Sequence, residues 1–403
     1  MPVALHSSLD GGPVSLDILS GLPQELAFSV EEYRGRVERV RESMLAARVD
    51  VLLVKEPSSV LYLCGLQSFS MYGGECIILP LDGEPTLVVH PPEAGTALLH
   101  TWIDDVHTFD ASAMQEQYLA SLLRDKGLDK AKIAIEKQSI GVTVSFQESL
   151  AAHLSGVEFA DGSALVTRAR ILKSPAEITH LRKAAAITDL GAVAAIEAAG
   201  EGKTDNDIAA AASSALIQGG SEYMALSPIV TSGRRSGILH STHKRVPLRK
   251  GDSILIEMGA SYQRYTAPTM RTISIGDPDA GVIRMAGACL SALDKVIEAI
   301  RPGITSDEVA RAGWEGMDLA GPGLVFHGVF GYGVGCNFPP TWADGTAFIR
   351  LGDHTVLQPG MVFHHPVALR RLGEYGVAFS ETSVVTEDGC EVLTSTERRL
   401  FIR

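Results

Sequence analysis

Ile196-Glu197-Ala198, Gly202, Thr204 and Asp207-Ile208-Ala209 recur as Ile297-Glu298-Ala299, Gly303, Thr305 and Glu308-Val309-Ala310, at a constant offset of 101 residues. After a register shift the offset becomes 109, where Leu248-Arg249-Lys250-Gly251-Asp252-Ser253-Ile254-Leu255 is matched by Leu357-Gln358-Pro359-Gly360-Met361-Val362-Phe363-His364. Self-similarity of this kind marks duplication of one supersecondary unit. Each copy runs helix, helix, strands. Two related α+β halves with facing sheets enclose a central cleft with pseudo-twofold symmetry, and the cleft is where chemistry is expected.

Just upstream, Ser174-Pro175-Ala176-Glu177 combines capping-box spacing with proline at the first helical position, which starts a long Ala-rich helix running to Ala199. The domain boundary falls before it. Three segments result: a Gly-, Pro- and Ser-rich lead-in over residues 1–28, an α/β domain over 29–165, and the duplicated domain over 166–403. Within the α/β domain, Ser29-Val30-Glu31-Glu32 caps an amphipathic helix to about Ala47. Val51–Val54, Glu75–Leu79 and Thr86–Val89 are short β-branched runs bounded by Gly or Pro, and helical stretches near 112–126 and 145–154 alternate with strands.

The chain has 403 residues, enough for two domains with sizeable cores. At 45% hydrophobic and 21% charged it has the composition of a globular protein that folds throughout. Its longest apolar runs fall far short of the ~20 residues that span a bilayer, and no basic n-region opens the chain. Neither a membrane partner nor export is expected. Five cysteines form no CxxC pair, which argues against a disulfide framework or a cysteine zinc site and suits a cytoplasmic setting. A net charge of −13 disfavours nucleic acid and is compatible with a cationic substrate.

The matching segments resemble those of the pita-bread superfamily, which holds methionine aminopeptidase, prolidase, aminopeptidase P, creatinase and ectoine hydrolase. The resemblance implies a creatinase-type N-terminal domain and a pita-bread catalytic domain. In the peptidases a strand ending Asp-x-Gly-Ala supplies the first metal ligand; here Ile254-Leu255-Ile256-Glu257-Met258-Gly259-Ala260 puts Glu257 there. The second Asp falls on Pro268, the histidine of Gly-His-Gly-x-Gly on Tyr332, and the Glu after Gly-Met-Val-Phe on Pro366. Glu381 alone survives as the last carboxylate. Two bridged metals need about five converging protein ligands. Two carboxylates are too few, so neither a catalytic metal nor another cofactor is expected, although His364 and His365 sit beside the lost Glu position and leave an improvised site open.

Hydrolysis without a metal needs a base for water or a covalent nucleophile. Glu257 suits either role, and its apolar strand neighbours raise a carboxylate's pKa unless a cation compensates. Creatinase-like sequences hold their catalytic histidine at the spacing of His240. The pattern is most similar to that of ectoine hydrolases: Glu257, Arg264-Tyr265, Pro268, Arg271, Gly331-Tyr332, Pro339-Pro340-Thr341-Trp342 and His364 all have counterparts. By this resemblance Glu257 attacks the amidine carbon of a tetrahydropyrimidine and His240 shuttles the proton. Tyr332 and Trp342 stack on a flat cation or pack in the core. Glu381, His364 and Tyr265 join the substrate-binding set, and Arg271 anchors its strand. Thr341 stands where ectoine hydrolases tend to have Asp. Arg234 and Arg235 are more basic than expected, and are either a clamp for a substrate carboxylate or a solvated loop. The expected protein is a metal-independent C–N hydrolase, a homodimer taking a small cationic or zwitterionic molecule. The rivals are a metal-dependent Xaa-Pro peptidase and a non-catalytic binding protein on the same fold.

Overall fold

A computed structural model describes residues 4–5, 14–15, 22–69, 74–109, 114–317 and 320–403. The chain divides into two units, Met1–Arg170 and Ile171–Arg403. Most of the lead-in, and the start of the helix expected at 112–126, lie outside the described residues.

The first unit is built on a six-stranded mixed sheet, in the order Asp105–Thr108, Thr86–Val89, Cys76–Pro80, Val51–Val54, Ile133–Ile135 and Ala160–Asp161. Its central strands are buried along their whole length, which is why they are continuous apolar runs and not alternating ones. The helix Val30–Ala47 begins where its cap predicts, Ser29 accepting from Glu32 N at 3.3 Å. Helices Gln115–Asp125 and Val144–His153 follow.

The second unit carries the duplication. The helix pair Pro175–Ala198 and Asp205–Gln218 covers a sheet ordered Phe401–Ile402, Thr269–Ser274, Ser253–Met258, Ile229–Ser232. The pair Ala280–Ala299 and Ser306–Gly316 packs against the other sheet, ordered Ala343–Arg350, Val329–Val334, Val362–His364, Thr382–Val385, Cys390–Val392. Each half has its own apolar core.

The repeated residues turn out to be the ones that fix backbone. Gly202 and Gly303 hold left-handed φ of 79° and 86°, and Thr204 and Thr305 each close a capping box, with Asp207 and Glu308 respectively. Gly202 N donates to Leu248 O at 3.2 Å, and Gly303 N to Leu357 O at 2.9 Å. At the same 109-residue offset Glu257 corresponds to Pro366.

The helices of each pair touch at a small residue. Gly191 faces Leu216 in the first pair, and Gly316 faces the backbone of Ala292, the residue equivalent to Gly191, in the second. A Cβ on Gly316 would lie 2.5 Å from Ala292 N and 2.8 Å from the Ser291 carbonyl carbon. Backbone cannot give way as a side-chain tip can. Gly316→Ala should therefore lower stability by about 1–3 kcal/mol, although alanine is the better helix former. A thermal midpoint equal to or above wild type would refute this close approach.

Candidate active site

Between the halves runs the hairpin Val367–Arg371 and Tyr375–Phe379, whose second strand lies along the first half's sheet. Thr272 Oγ1 donates to Ala378 O and accepts from Ala378 N, both at 2.8 Å, and Ser253 Oγ donates to Gly376 O at 2.8 Å. Facing strands held this way enclose a cavity of about 280 Å³. That is at the small end of ligand pockets, roughly 300–1,000 Å³. Its walls are mostly apolar, and its polar groups include Glu257, His240, Tyr332, His327 and Arg370.

Glu257 comes from the Ser253–Met258 strand, whose other residues are buried. Its carboxylate is partly open to the cavity, whose walls are mostly apolar. Burial accordingly pushes the carboxyl up to about 7, against the pull of the Arg370 charge. Pro366, the pseudo-twofold equivalent, lines the opposite wall.

His240 is exposed at the rim on a loop clamped from several sides. Ser236 Oγ accepts from Gly376 N at 2.8 Å and donates to Gly233 O at 2.7 Å, Arg235 Nη2 donates to Thr242 O at 2.6 Å, and Asp205 accepts from Lys244 N and Val246 N at 2.9 and 2.8 Å. These bonds hold His240 at φ 55°, a left-handed conformation that a non-glycine residue adopts only when its surroundings dictate it. His327 lies near enough that partial burial and the charges of Arg370 and His240 depress its pKa.

Tyr332 reaches the cavity from the Val329–Val334 strand. Burial, then the nearby Glu257 charge, raises its phenol far above the usual range. Its Oη accepts from Trp342 Nε1 at 2.8 Å and lies 2.8 Å from His364 Nδ1.

Five of the expected contact residues do not line the cavity. Trp342 and His364 stand behind Tyr332, and His364 Nε2 is fixed on Ser380 Oγ at 2.7 Å. Tyr265 Oη donates to Glu177 Oε1 at 2.8 Å and ties its strand to the start of the Pro175–Ala198 helix. Glu381 is buried in an ion pair, accepting from Arg271 Nη2 at 2.8 Å and from Thr394 Oγ1. Arg234 points to solvent. Trp342, His364, Tyr265 and Glu381 thus stand behind the cavity wall, and Arg234 lies on an exposed loop.

Conversely, Arg370 and His327 were not anticipated. Strand alternation from Pro366 puts 366, 368 and 370 on one face, so Arg370 could have been found from the position of the missing Glu. No comparable signal marks His327.

A pair of metal ions does not fit the donor set. Glu257 and Glu381 are the carboxylates at the five ligand positions, Glu381 is committed to Arg271, and the Pro268 carbonyl accepts from Thr382 Oγ1 at 2.8 Å. His365 is occupied as well, with Nδ1 3.0 Å from Phe330 O and Nε2 2.7 Å from Ser383 Oγ. Among the described residues no three His, Cys, Asp or Glu side chains converge on a point.

Fold and cavity together define a two-domain enzyme of pita-bread architecture. The chain belongs to metallopeptidase family M24, whose profile matches residues 179–387, and a creatinase/prolidase N-terminal domain profile matches residues 36–172. It is similar to the ectoine hydrolase of Halomonas elongata, with 30% identity over 94% of this chain and 99% of that protein. It is also similar to the Xaa-Pro dipeptidase of Pyrococcus horikoshii, at 28% identity over 91% of this chain and 98% of that protein. Among solved structures, the prolidase from Pyrococcus horikoshii OT3 superposes with a TM-score of 0.80 at 28% identity, covering 91% of this chain and 99% of that one. The chain is thus a hydrolase of this family. No helix among the described residues is long and apolar enough to cross a membrane.

Proposed function

We propose that the protein hydrolyses a C–N bond of a small amidine-type metabolite without a metal, with ectoine or a near analogue as substrate. The observation that carries this reading is Glu257. A carboxylate with no hydrogen-bond donor among the described residues, set in a mostly apolar cavity and raised to about 7, is balanced for binding a cation and for attack on it.

Glu257 attacks the amidinium carbon, and the ring C–N bond breaks as its nitrogen takes a proton from His240. Water then adds to the same carbon, returning one proton to His240 and yielding the other to the released amine, and displaces Glu257 as a carboxylate, leaving an N-acetyl-diaminobutyrate. The similarity to an ectoine hydrolase supports this substrate class. The similarity to Xaa-Pro dipeptidases favours peptides, but the residues at the ligand positions do not supply a metal centre.

Purified enzyme incubated with ectoine, hydroxyectoine, creatine and Xaa-Pro dipeptides separates the readings. Ring opening that survives a chelator, with an intact-protein mass showing a substrate adduct, is the expected outcome. Chelator-sensitive release of proline would overturn it. Removing a positioned proton carrier lowers turnover by roughly 10²–10⁴-fold, so His240→Ala should slow the reaction by that factor. Undiminished turnover in that variant would instead point to His327.

A further inference from the structure

Arg370 sits on the Val367–Arg371 strand, 4% exposed, with its side chain on the cavity. Among the described residues its Nε has no hydrogen-bond partner and no carboxylate lies within ion-pair distance of its guanidinium. Arg36, Arg264 and Arg271 are buried as deeply, and Arg264 Nε is likewise without a partner, but each of the three donates through other guanidinium nitrogens, as Arg370 does to none of the described residues. Arg36 donates to Glu32 Oε1 at 3.1 Å, Arg264 to Asn337 O at 3.0 Å, and Arg271 to Ser380 O at 2.7 Å and Glu381 Oε1 at 2.8 Å. A buried cation left without acceptors is strongly disfavoured unless something completes it.

Glu257 is the nearest countercharge, and the two feel each other without touching. Glu257 belongs to one half of the duplicated domain and Arg370 to the other, so the space between them is the cavity. A ligand there meets an anion on one wall and a planar, five-donor cation on the other.

We infer that Arg370 is the receptor for a substrate carboxylate, so that the site selects zwitterions carrying an amidinium or similar cation toward Glu257 and a carboxylate toward Arg370. This rests on the reading of Glu257 as the group that engages the cation. It also reassigns the carboxylate clamp from Arg234, which is solvent-facing, to a residue whose planar fork matches a carboxylate in two parallel hydrogen bonds.

Matched ligand pairs provide the test, with binding measured by calorimetry to wild type, Arg370→Gln and Arg370→Lys. The pairs are a methyl-tetrahydropyrimidine carboxylate and the same ring without its carboxylate, creatine and dimethylguanidine, and an Xaa-Pro dipeptide and its amide. Hydrogen bonds to a charged group are worth roughly 10–100-fold in affinity. Wild type should prefer the carboxylated member of whichever pair binds by about that factor. Arg370→Gln should erase the preference by weakening only the carboxylated member, and Arg370→Lys should restore part of it. Equal weakening of both members, a preference that persists in Arg370→Gln, or no binding by any pair overturns the inference. Arg370-dependent binding without turnover of the tetrahydropyrimidine would overturn the proposed reaction and leave the carboxylate receptor standing.

Discussion

Glu257→Gln is expected to stop turnover and at the same time to stabilise the protein. The carboxyl is held near 7 by burial, whereas in the unfolded chain it titrates near the ordinary carboxylate value of 4.5. Below that value both states are protonated and the residue has no pH-dependent effect. As pH rises toward 7 the unfolded state releases its proton first, so stability is progressively lost, and above 7 the loss is complete. The interval corresponds to roughly 3 kcal/mol. Glutamine resembles the protonated acid in shape and never ionises. The variant should therefore match wild type in urea unfolding at about pH 4 and exceed it by roughly 3 kcal/mol at about pH 8, while turnover falls by at least ~100-fold. Equal stability at both pH values would mean that the carboxylate is well solvated, and the case for an activated group would fail.

Removing the partner of Glu381 acts in the opposite direction. Arg271 is fully buried and donates to Thr269 Oγ1, Met270 O, Ser380 O, Thr396 O, Glu397 O and Glu381. Arg271→Met leaves the buried Glu381 carboxylate with only the more distant Arg398, at 3.7 Å, as countercharge and strips several carbonyls of their donor, a loss of roughly 3–5 kcal/mol. Glu381→Gln should also destabilise, because it strips the countercharge from Arg271, yet the KM of the folded enzyme should stay within about twofold, since such supports act on stability and not on the ligand. A tenfold rise in KM with an unchanged melting curve would return Glu381 to the substrate.

The parts of the molecule that could be read from sequence are those encoded locally. Gly202, Thr204 and their copies specify a left-handed turn and a helix cap, and such features survive as recognisable letters through duplication. Glu257 was legible for a related reason, because it sits inside a regular strand whose register fixes its face. Glu381 falls in the break between strands Tyr375–Phe379 and Thr382–Val385, where alternation does not tell inside from outside, so its pairing with Arg271 is not legible in the sequence. Trp342 and Tyr265 show that an aromatic near a site in sequence can stand behind it in space. Strands as short as Ile133–Ile135 and Ala160–Asp161 give too few residues for a period to register.

Phe401–Ile402 runs parallel to Thr269–Ser274 and completes the edge of the first half's sheet, and Arg271 finds acceptors as late as Glu397. On a ribosome adding roughly 5–20 residues per second, that edge stays open for on the order of ten seconds after its neighbour has emerged. During that interval Arg271 is without its distant acceptors and the strand beside it has a bare ladder. The first half of the duplicated domain therefore gains its last sheet pairing and the last acceptors of Arg271 only after the second half has been made.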